Sequence, residues 1–371
     1  MRIMHSIAFR IWSIIYFVVA TGCDPSSASE INRCSKQNKL PEISQSISTP
    51  GLSWGVKNNQ FEIFVKSTSD FVMLCCSIQE PLIKIQNETW YGCFEIMDIE
   101  KYALDIGVIA NDHRLTLETW VGRDYSGIVV DGSSEKTDRD STFTYEFDSK
   151  YVGKRRITMY IPTQADRRKT IPVMYVADGQ SVSQLAHYLE KAINEGLLPP
   201  VVLVGIWPSN EKLEFEGNMI DGRALEYLAG YDTKFPDHFK KHNDFLIGEL
   251  IPYVENKYNI GLARNNRIIA GFSNGGAWAI STALENSGLF SSVISASAGW
   301  TKSTFGGRKT SDVKFFINYG NLESSFKIKS SAIADSLRNS GNIVYENERL
   351  GGHSMQMWKD AFIASLRETL K

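Results

Sequence analysis

The chain carries no excess of charge of either sign. Lys and Arg number 40 against 42 Asp and Glu, a formal charge of −2, and so even a balance offers no electrostatic footing for nucleic acid as a partner. Beyond its N-terminal segment it has no apolar run of the eighteen or so residues that a membrane-crossing helix needs. Cysteine is sparse, five residues in 371. No C-x-x-C pair or neighbouring histidine cluster completes a metal site. What remains is the composition of an ordinary folded protein, 43% hydrophobic and 22% charged, able to bury a large core. A length of 371 residues suggests about two domains.

The N-terminus stands apart. Arg2 and Arg10 precede an apolar segment over residues 11–20, and Ala20-Thr21-Gly22-Cys23 closes it with small residues beside a cysteine. This reads as an export signal over residues 1–22. It resembles a bacterial lipoprotein signal, which implies that Cys23 is lipidated and becomes the first residue of a protein held at the periplasmic or extracellular side of the cell envelope. Removal of the two arginines leaves 38 basic against 42 acidic residues, a net charge of −4. Residues 23–50 are rich in Ser, Pro, Asn and Lys and are expected to form a tether.

Over residues 51–131 the pattern changes to short alternating runs: Phe61-Ile63-Val65, Val72-Leu74-Cys76, residues 90–96 and 104–110, and Leu115-Leu117 beside Thr119. Period-two alternation, with Asn58-Asn59 and Asn111-Asp112 as turn signals, predicts a small antiparallel β-domain of sandwich type. Trp54, Trp90, Tyr91 and Trp120 admit two readings, a carbohydrate-binding platform or core; aromatics at strand positions are ordinarily core. Cys34, Cys75, Cys76 and Cys93 form an even set with three possible pairings. Cys75 and Cys76 point to opposite faces of a strand and are not expected to bond to each other. One bridge from that strand to Cys93 is the expectation.

Residues 132–142 are polar and turn-rich and mark a linker. From 143 to 371 continuous apolar strands alternate with amphipathic helices, the texture of an α/β domain with a mostly parallel sheet covered on both faces. Strands are expected at 143–147, 156–161, 171–177, 201–207, 268–270, 293–296, 313–319 and 343–346. Helices are expected at 182–194, 238–257, 330–340 and 357–370.

Within this domain Gly271-Phe272-Ser273-Asn274-Gly275 follows a short apolar run and precedes a helical pattern. It matches the G-x-S-x-G nucleophile elbow, in which a serine sits on a sharp strand-to-helix turn between glycines that let the two backbones approach. Only one histidine lies downstream, His353, beside Gly351 and Gly352. Ser, acid and His are expected in that chain order. Glu323, just past the strand at 313–319, is placed to be the acid. Asp312 precedes that strand, and Asp335 falls within a helix pattern. An acyl-transfer site also needs oxyanion donors: the N–H of Asn274, and a second from the Asp178-Gly179-Gln180 turn, where Gly179 lets the Gln180 N–H face the serine.

Residues 171–180, 201–206 and 245–258, the elbow at 271–276 and Gly351-Gly352-His353 together resemble the putative-esterase family of α/β-hydrolases, which includes enterochelin esterases, feruloyl esterases, S-formylglutathione hydrolases and mycolyltransferases. The resemblance spans about residues 143–371. It implies Ser273 as nucleophile, His353 as base, Glu323 as acid in a position where the family more often has Asp, and Asn274 and Gln180 as oxyanion donors. Specificity is expected from loops at 207–222, 223–227 and 300–308 and from Trp358. Trp207, Trp300 and Trp358 are candidates to wall an acyl pocket or to be core. Arg223 is a candidate clamp for an anionic substrate group or a structural ion-pair partner.

The sequence thus predicts a serine carboxylic-ester hydrolase that works without a cofactor or metal. Its expected substrate is a small-molecule or glycan ester, of siderophore or feruloyl/acetyl-glycan type, and its expected membrane contact is the N-terminal lipid anchor. A non-catalytic envelope ligand-binding protein on the same fold, or an acyltransferase to a sugar, are the alternatives.

Overall fold

The structure is a computed structural model that describes residues 31–34, 51–111, 118–130, 141–165, 170–215, 217–299, 308–310 and 312–371. The signal segment, Cys23, nearly all of the tether, most of the 132–142 linker, the strand position at Leu115-Leu117 and Trp300 lie outside the described residues. Two compact units divide the chain: Met1–Gly127 with Gly320–Lys327 and Glu348–Trp358, and Ile128–Tyr319 with Ile328–Asn347 and Lys359–Lys371. Two short stretches from the C-terminal half therefore cluster with the β-domain.

The first unit contains β1 (Asn32–Arg33), β2 (Leu52–Lys57), β3 (Gln60–Lys66), β4 (Val72–Cys76), β5 (Glu80–Pro81), β6 (Ile83–Gln86), β7 (Thr89–Glu95), β8 (Ala103–Ala110) and β9 (Glu118–Val121). They form two sheets, β1-β7-β3-β2 with β6 also on β7, and β5-β4-β8-β9. Every pairing is antiparallel. Alternation decides which faces turn inward: on β3, Phe61, Ile63 and Val65 are buried while their neighbours are less so. They share one core with Trp90 and Phe94 of β7, Val72 and Leu74 of β4, and Leu104, Ile106 and Val108 of β8. Asn58 and Asn59, both at positive φ (51° and 63°), make the tight turn between β2 and β3, as a two-residue hairpin of this twist requires.

Trp54 and Trp90 belong to this core at 7% and 6% exposure, and Trp120 packs against it. For these three the core reading prevails over a binding platform; Tyr91, on the opposite face of β7, lies outside that core and stacks on Phe64 with centroids 4.7 Å apart.

The expected bridge from the Cys75-Cys76 strand to Cys93 is corrected. Cys93 bonds to Cys34, with Cα atoms 5.4 Å apart. The reason is pairing: Asn32 and Arg33 lie opposite Glu95 and Phe94, and the Cys34 N–H donates to the Cys93 carbonyl, so the edge strand carries its cysteine to the partner. Cys75 and Cys76 take no part in a disulfide and lie on β4, in the other sheet.

The second unit is built on an eight-stranded sheet. Its strands are β10 (Thr142–Ser149), β11 (Gly153–Tyr160), β12 (Val173–Ala177), β13 (Val202–Ile206), β16 (Arg267–Phe272), β17 (Ser292–Ala296), β18 (Lys314–Gly320) and β19 (Ile343–Arg349), in the order β10-β11-β13-β12-β16-β17-β18-β19. A hairpin of β14 (Lys212–Phe215) and β15 (Asn218–Asp221) stands apart. β10, β11 and β13 pair antiparallel, whereas β13, β12, β16, β17 and β18 run parallel. The strands β12, β13 and β17 are buried at every position, which is why they read as unbroken apolar runs.

The helices are α1 (Val182–Asn194), α2 (Gly222–Tyr227), α3 (Asp237–Phe245), α4 (Ile251–Tyr258), α5 (Asn274–Glu285), α6 (Ser324–Asn339) and α7 (Met355–Thr369). The helix expected over 238–257 is present as a continuous helical run over 237–258, with one π-helical turn, Leu246–Leu250, between α3 and α4. Pro252 sits in the first turn of α4, where it has no N–H to give and its ring crowds the carbonyl four residues back. A local change of helical register just before it relieves both. Likewise α6 starts at Ser324, six residues ahead of the expected 330.

Candidate active site

Ser273 follows β16 directly and caps α5 with φ 54° and ψ −129°. A non-glycine residue in that region is strained, and a structure holds it there only where neighbours over-determine it. Those neighbours are visible. The Ser273 N–H donates to the Ala296 carbonyl at 2.9 Å, and its own carbonyl accepts from Gly276 N at 3.0 Å. A Cβ on Gly271 would lie 2.2 Å from the Gly275 carbonyl oxygen, and one on Gly275 would lie 2.6 Å from Ala177 Cβ. The turn is therefore possible only with glycine on both sides of Phe272-Ser273-Asn274.

The strain has a chemical consequence. Serine at a helix N-cap ordinarily spends its hydroxyl on the N–H two or three residues on, but Ser273 makes no such side-chain capping bond. Its residual exposure is 6%. Asn274 is the first residue of α5, where a backbone N–H has no acceptor within the helix.

β12 lies beside β16, and the segment after it is the one expected to supply the second oxyanion donor. Asp178 adopts φ 59°, ψ 59°, and Gly179–Ser181 forms a 3-10 turn. This bend is pinned from several directions. The Asp178 N–H donates to Tyr227 Oη at 2.8 Å. Its carboxylate takes a two-pronged contact from Arg223 Nε and Nη2, both at 2.7 Å, and Gln180 Nε2 donates to Oδ1 at 3.2 Å. Burial works against the Arg223 charge, and the Asp178 carboxylate outweighs it, holding the guanidinium pKa above its ordinary value. Burial also pushes the Tyr227 phenol well above its usual pKa, so it stays a neutral hydrogen-bonding group. Of the two sequence alternatives for Arg223, the geometry displays the ion pair.

Trp207 belongs to the same corner. Its indole N–H donates to Thr158 Oγ1 at 2.8 Å, Arg156 stacks over the ring at 5.1 Å, and a Cβ on Gly179 would reach 2.6 Å from its Cδ1. It packs against the turn that carries Gln180.

In the first unit, His353 Nδ1 lies 2.9 Å from Glu323 Oε2. Both are buried, at 8% and 3% exposure. The other carboxylate oxygen of Glu323 accepts the Gly320 N–H at 2.7 Å, which fixes the orientation of the acid. The imidazole is held by rings as well: Phe326 stacks on it with centroids 4.0 Å apart, and Trp358 meets it edge-on at 4.9 Å. Trp358 is thus a neighbour of the histidine. Asp335, weighed as an alternative acid, pairs with Arg338 on α6.

A glutamate on a histidine Nδ1, a strained serine between strand and helix, and candidate backbone donors on the adjoining strand end are the parts that acyl transfer requires. Sequence reasoning passed over Phe326, Asp178 as an anchor, and Tyr227. For Phe326 the spacing of three from Glu323 becomes a signal only with α6 starting at Ser324, which the sequence pattern does not show. For Tyr227 there was none.

A family model described as "Putative esterase" matches residues 149–369. The Bacillus subtilis (strain 168) protein YbbA, whose function is uncharacterized, is 28% identical over 154 residues, covering 40% of this chain and 58% of that protein. The match thus spans less than two thirds of that relative. Among solved structures, an enterochelin esterase from Shigella flexneri superposes with a TM-score of 0.60 at 14% identity, covering 87% of this chain and 96% of its own. The enterobactin esterase from Shigella flexneri in the presence of enterobactin gives 0.62 at 15%, covering 87% and 96%. A ferulic acid esterase gives 0.50 at 20%, covering 62% and 96%. These likenesses establish the fold, and the 87% coverage reaches beyond the α/β portion while the 62% coverage need not.

Proposed function

From the membership of this chain in the putative-esterase family, we propose that it hydrolyses carboxylic esters through an acyl-enzyme on Ser273. The observation that carries this reading is the backbone of Ser273, held at φ 54°, ψ −129° between strand and helix with its hydroxyl withheld from capping.

In the proposed reaction Ser273 Oγ attacks the ester carbonyl carbon while His353 Nε2 takes the hydroxyl proton. His353 Nδ1–H donates to Glu323, which fixes the tautomer and stabilises the imidazolium without itself taking the proton. The carbonyl oxygen becomes an oxyanion, which the N–H groups of Asn274 and Gln180 stabilise; removal of one such donor costs about 3–4 kcal/mol of barrier. Collapse expels the alcohol, protonated by His353, and leaves an acyl-serine. Water, deprotonated by the same imidazole, then releases the acid and restores Ser273.

For the substrate we favour a bulky ester of siderophore type over a feruloyl or acetyl glycan ester. The support is the overlay with enterobactin-acting neighbours, which takes in more of the chain than that with the ferulic acid esterase. The Cys34–Cys93 disulfide suits an oxidising compartment, and we propose export with lipid attachment at Cys23. Among the described residues no helix is long and apolar enough to cross a membrane.

The test is labelling with a fluorophosphonate probe together with hydrolysis of siderophore, feruloyl and acetyl esters. Wild-type protein is expected to take one equivalent of probe and Ser273→Ala none. Folded wild-type protein that takes no probe and cleaves no ester of the panel would refute the proposal.

A further inference from the structure

The β-sandwich lies ahead of residue 149, where the family match begins, yet it holds the residues that flank the acid and the histidine. Asn321, two residues before Glu323, donates from Nδ2 to Tyr102 Oη at 2.7 Å and accepts the Gly351 N–H on Oδ1 at 3.1 Å. Leu322, the next residue, is buried within the sandwich core, and its N–H donates to the Gly351 carbonyl at 2.9 Å. On the histidine side, Gly352 passes so close to Ser77 that a Cβ there would lie 1.7 Å from the Ser77 carbonyl oxygen. Ser354 accepts a hydrogen bond from Ser77 Oγ at 2.9 Å. Ser77 Oγ is in turn oriented by the Asp105 N–H, which donates to it at 2.8 Å. Ser77, Ser354 and Tyr102 are all buried.

The supports therefore fall on both residues ahead of Glu323 and on the residue either side of His353. Nothing in the α/β pattern demands this. We propose that Ser77 and Tyr102 of the sandwich are positioning residues, which fix the Glu323–His353 pair in the geometry that the acyl-serine reaction uses. The inference rests on the function proposed above. Its physical basis is that a misplacement of about 1 Å in a reacting group costs about 10²-fold in rate. The hydroxyls themselves touch no reacting atom.

The double variant Ser77→Ala/Tyr102→Phe removes both hydroxyls and leaves the rings and core in place. We expect kcat for ester hydrolysis, and the rate of fluorophosphonate labelling, to fall by about tenfold or more, with KM within about twofold of wild type. Ser69→Ala serves as the control. It deletes a buried hydroxyl of the same sandwich, one that accepts the Asn111 N–H at 2.7 Å, and is expected to lower stability and leave kcat unchanged. An independent readout is the downfield proton resonance of His353 Nδ1–H in NMR, identified by its loss in His353→Ala. In the double variant it should shift upfield or broaden. An unchanged kcat with an unshifted resonance overturns the positioning role, and so does an equal loss of kcat in the control. If wild-type protein neither labels nor hydrolyses, the acyl-serine reading falls, while the resonance still decides whether the sandwich holds the pair.

Discussion

Glu323 serves His353 with one carboxylate oxygen and is itself oriented through the other by the Gly320 N–H. Glu323→Gln keeps the shape and removes the charge that favours the imidazolium. kcat should drop by a factor on the order of 10²–10⁴, measured on any ester the wild type cleaves, with KM little altered. Arg223 poses a different question, because its fork is occupied by Asp178. Arg223→Lys keeps the charge but cannot reproduce the two-pronged contact, so the 178–181 turn should loosen and kcat should fall about tenfold or more. A rise in KM with kcat preserved would instead identify Arg223 as a substrate clamp. Glu226 bears on stability. Burial pushes its pKa up, but His242 and Arg155 outweigh burial and leave it below the ordinary carboxylate value, with Arg155 Nη2 at 2.6 Å. A carboxyl depressed on folding contributes stability that is complete above its unfolded value of about 4.3 and is lost as pH falls through the folded value. Urea titrations should therefore show Glu226→Gln less stable than wild type at pH 7, with the gap closing at acid pH.

At the scale of elements, the elbow is governed by close approach. Gly271→Ala would force a methyl group to within 2.2 Å of the Gly275 carbonyl oxygen, and no side chain is free to yield. It should lower stability by about 1–3 kcal/mol in chemical denaturation and abolish probe labelling. This strand-to-helix turn was legible in the sequence from its context, an apolar run before the glycines and a helical pattern after them, since the bare pentapeptide of small residues arises often by chance. The helix α1 was equally legible, its apolar positions recurring at helical spacing from Val182 to Asn194. The π-helical winding at Leu246–Leu250, inside the helix over 237–258, was not. Apolar residues continue on one face through that turn, and periodicity alone does not register a local change in winding. Nor did the pattern reveal that α6 begins at Ser324, because Ser324 and Ser325 are weak helix formers and tertiary packing overrides them.

For the molecule as a whole, what the sequence could not disclose is what contacts across long separations decide. Ser77 and Ser354 are 277 positions apart, and Tyr102 and Asn321 are 219 apart. Hydroxyl pairs of this kind leave no periodic trace. The same holds for the disulfide: spacing left three pairings open, and the choice of Cys34 was made by an edge strand of two residues, Asn32–Arg33, too short to show as a pattern. Reduction of that bond, or Cys34→Ser with Cys93→Ser, should lower stability by about 2–4 kcal/mol, measured by urea unfolding of the sandwich with tryptophan fluorescence. The position of the bond also bears on load. Tension applied along the backbone from residues ahead of Cys34 crosses directly to Cys93 through sulfur, so the 58 residues between them (35–92) bear none of it. In a pulling experiment those residues should add nothing to the extension until the bond is reduced, and the reductant should then add their length.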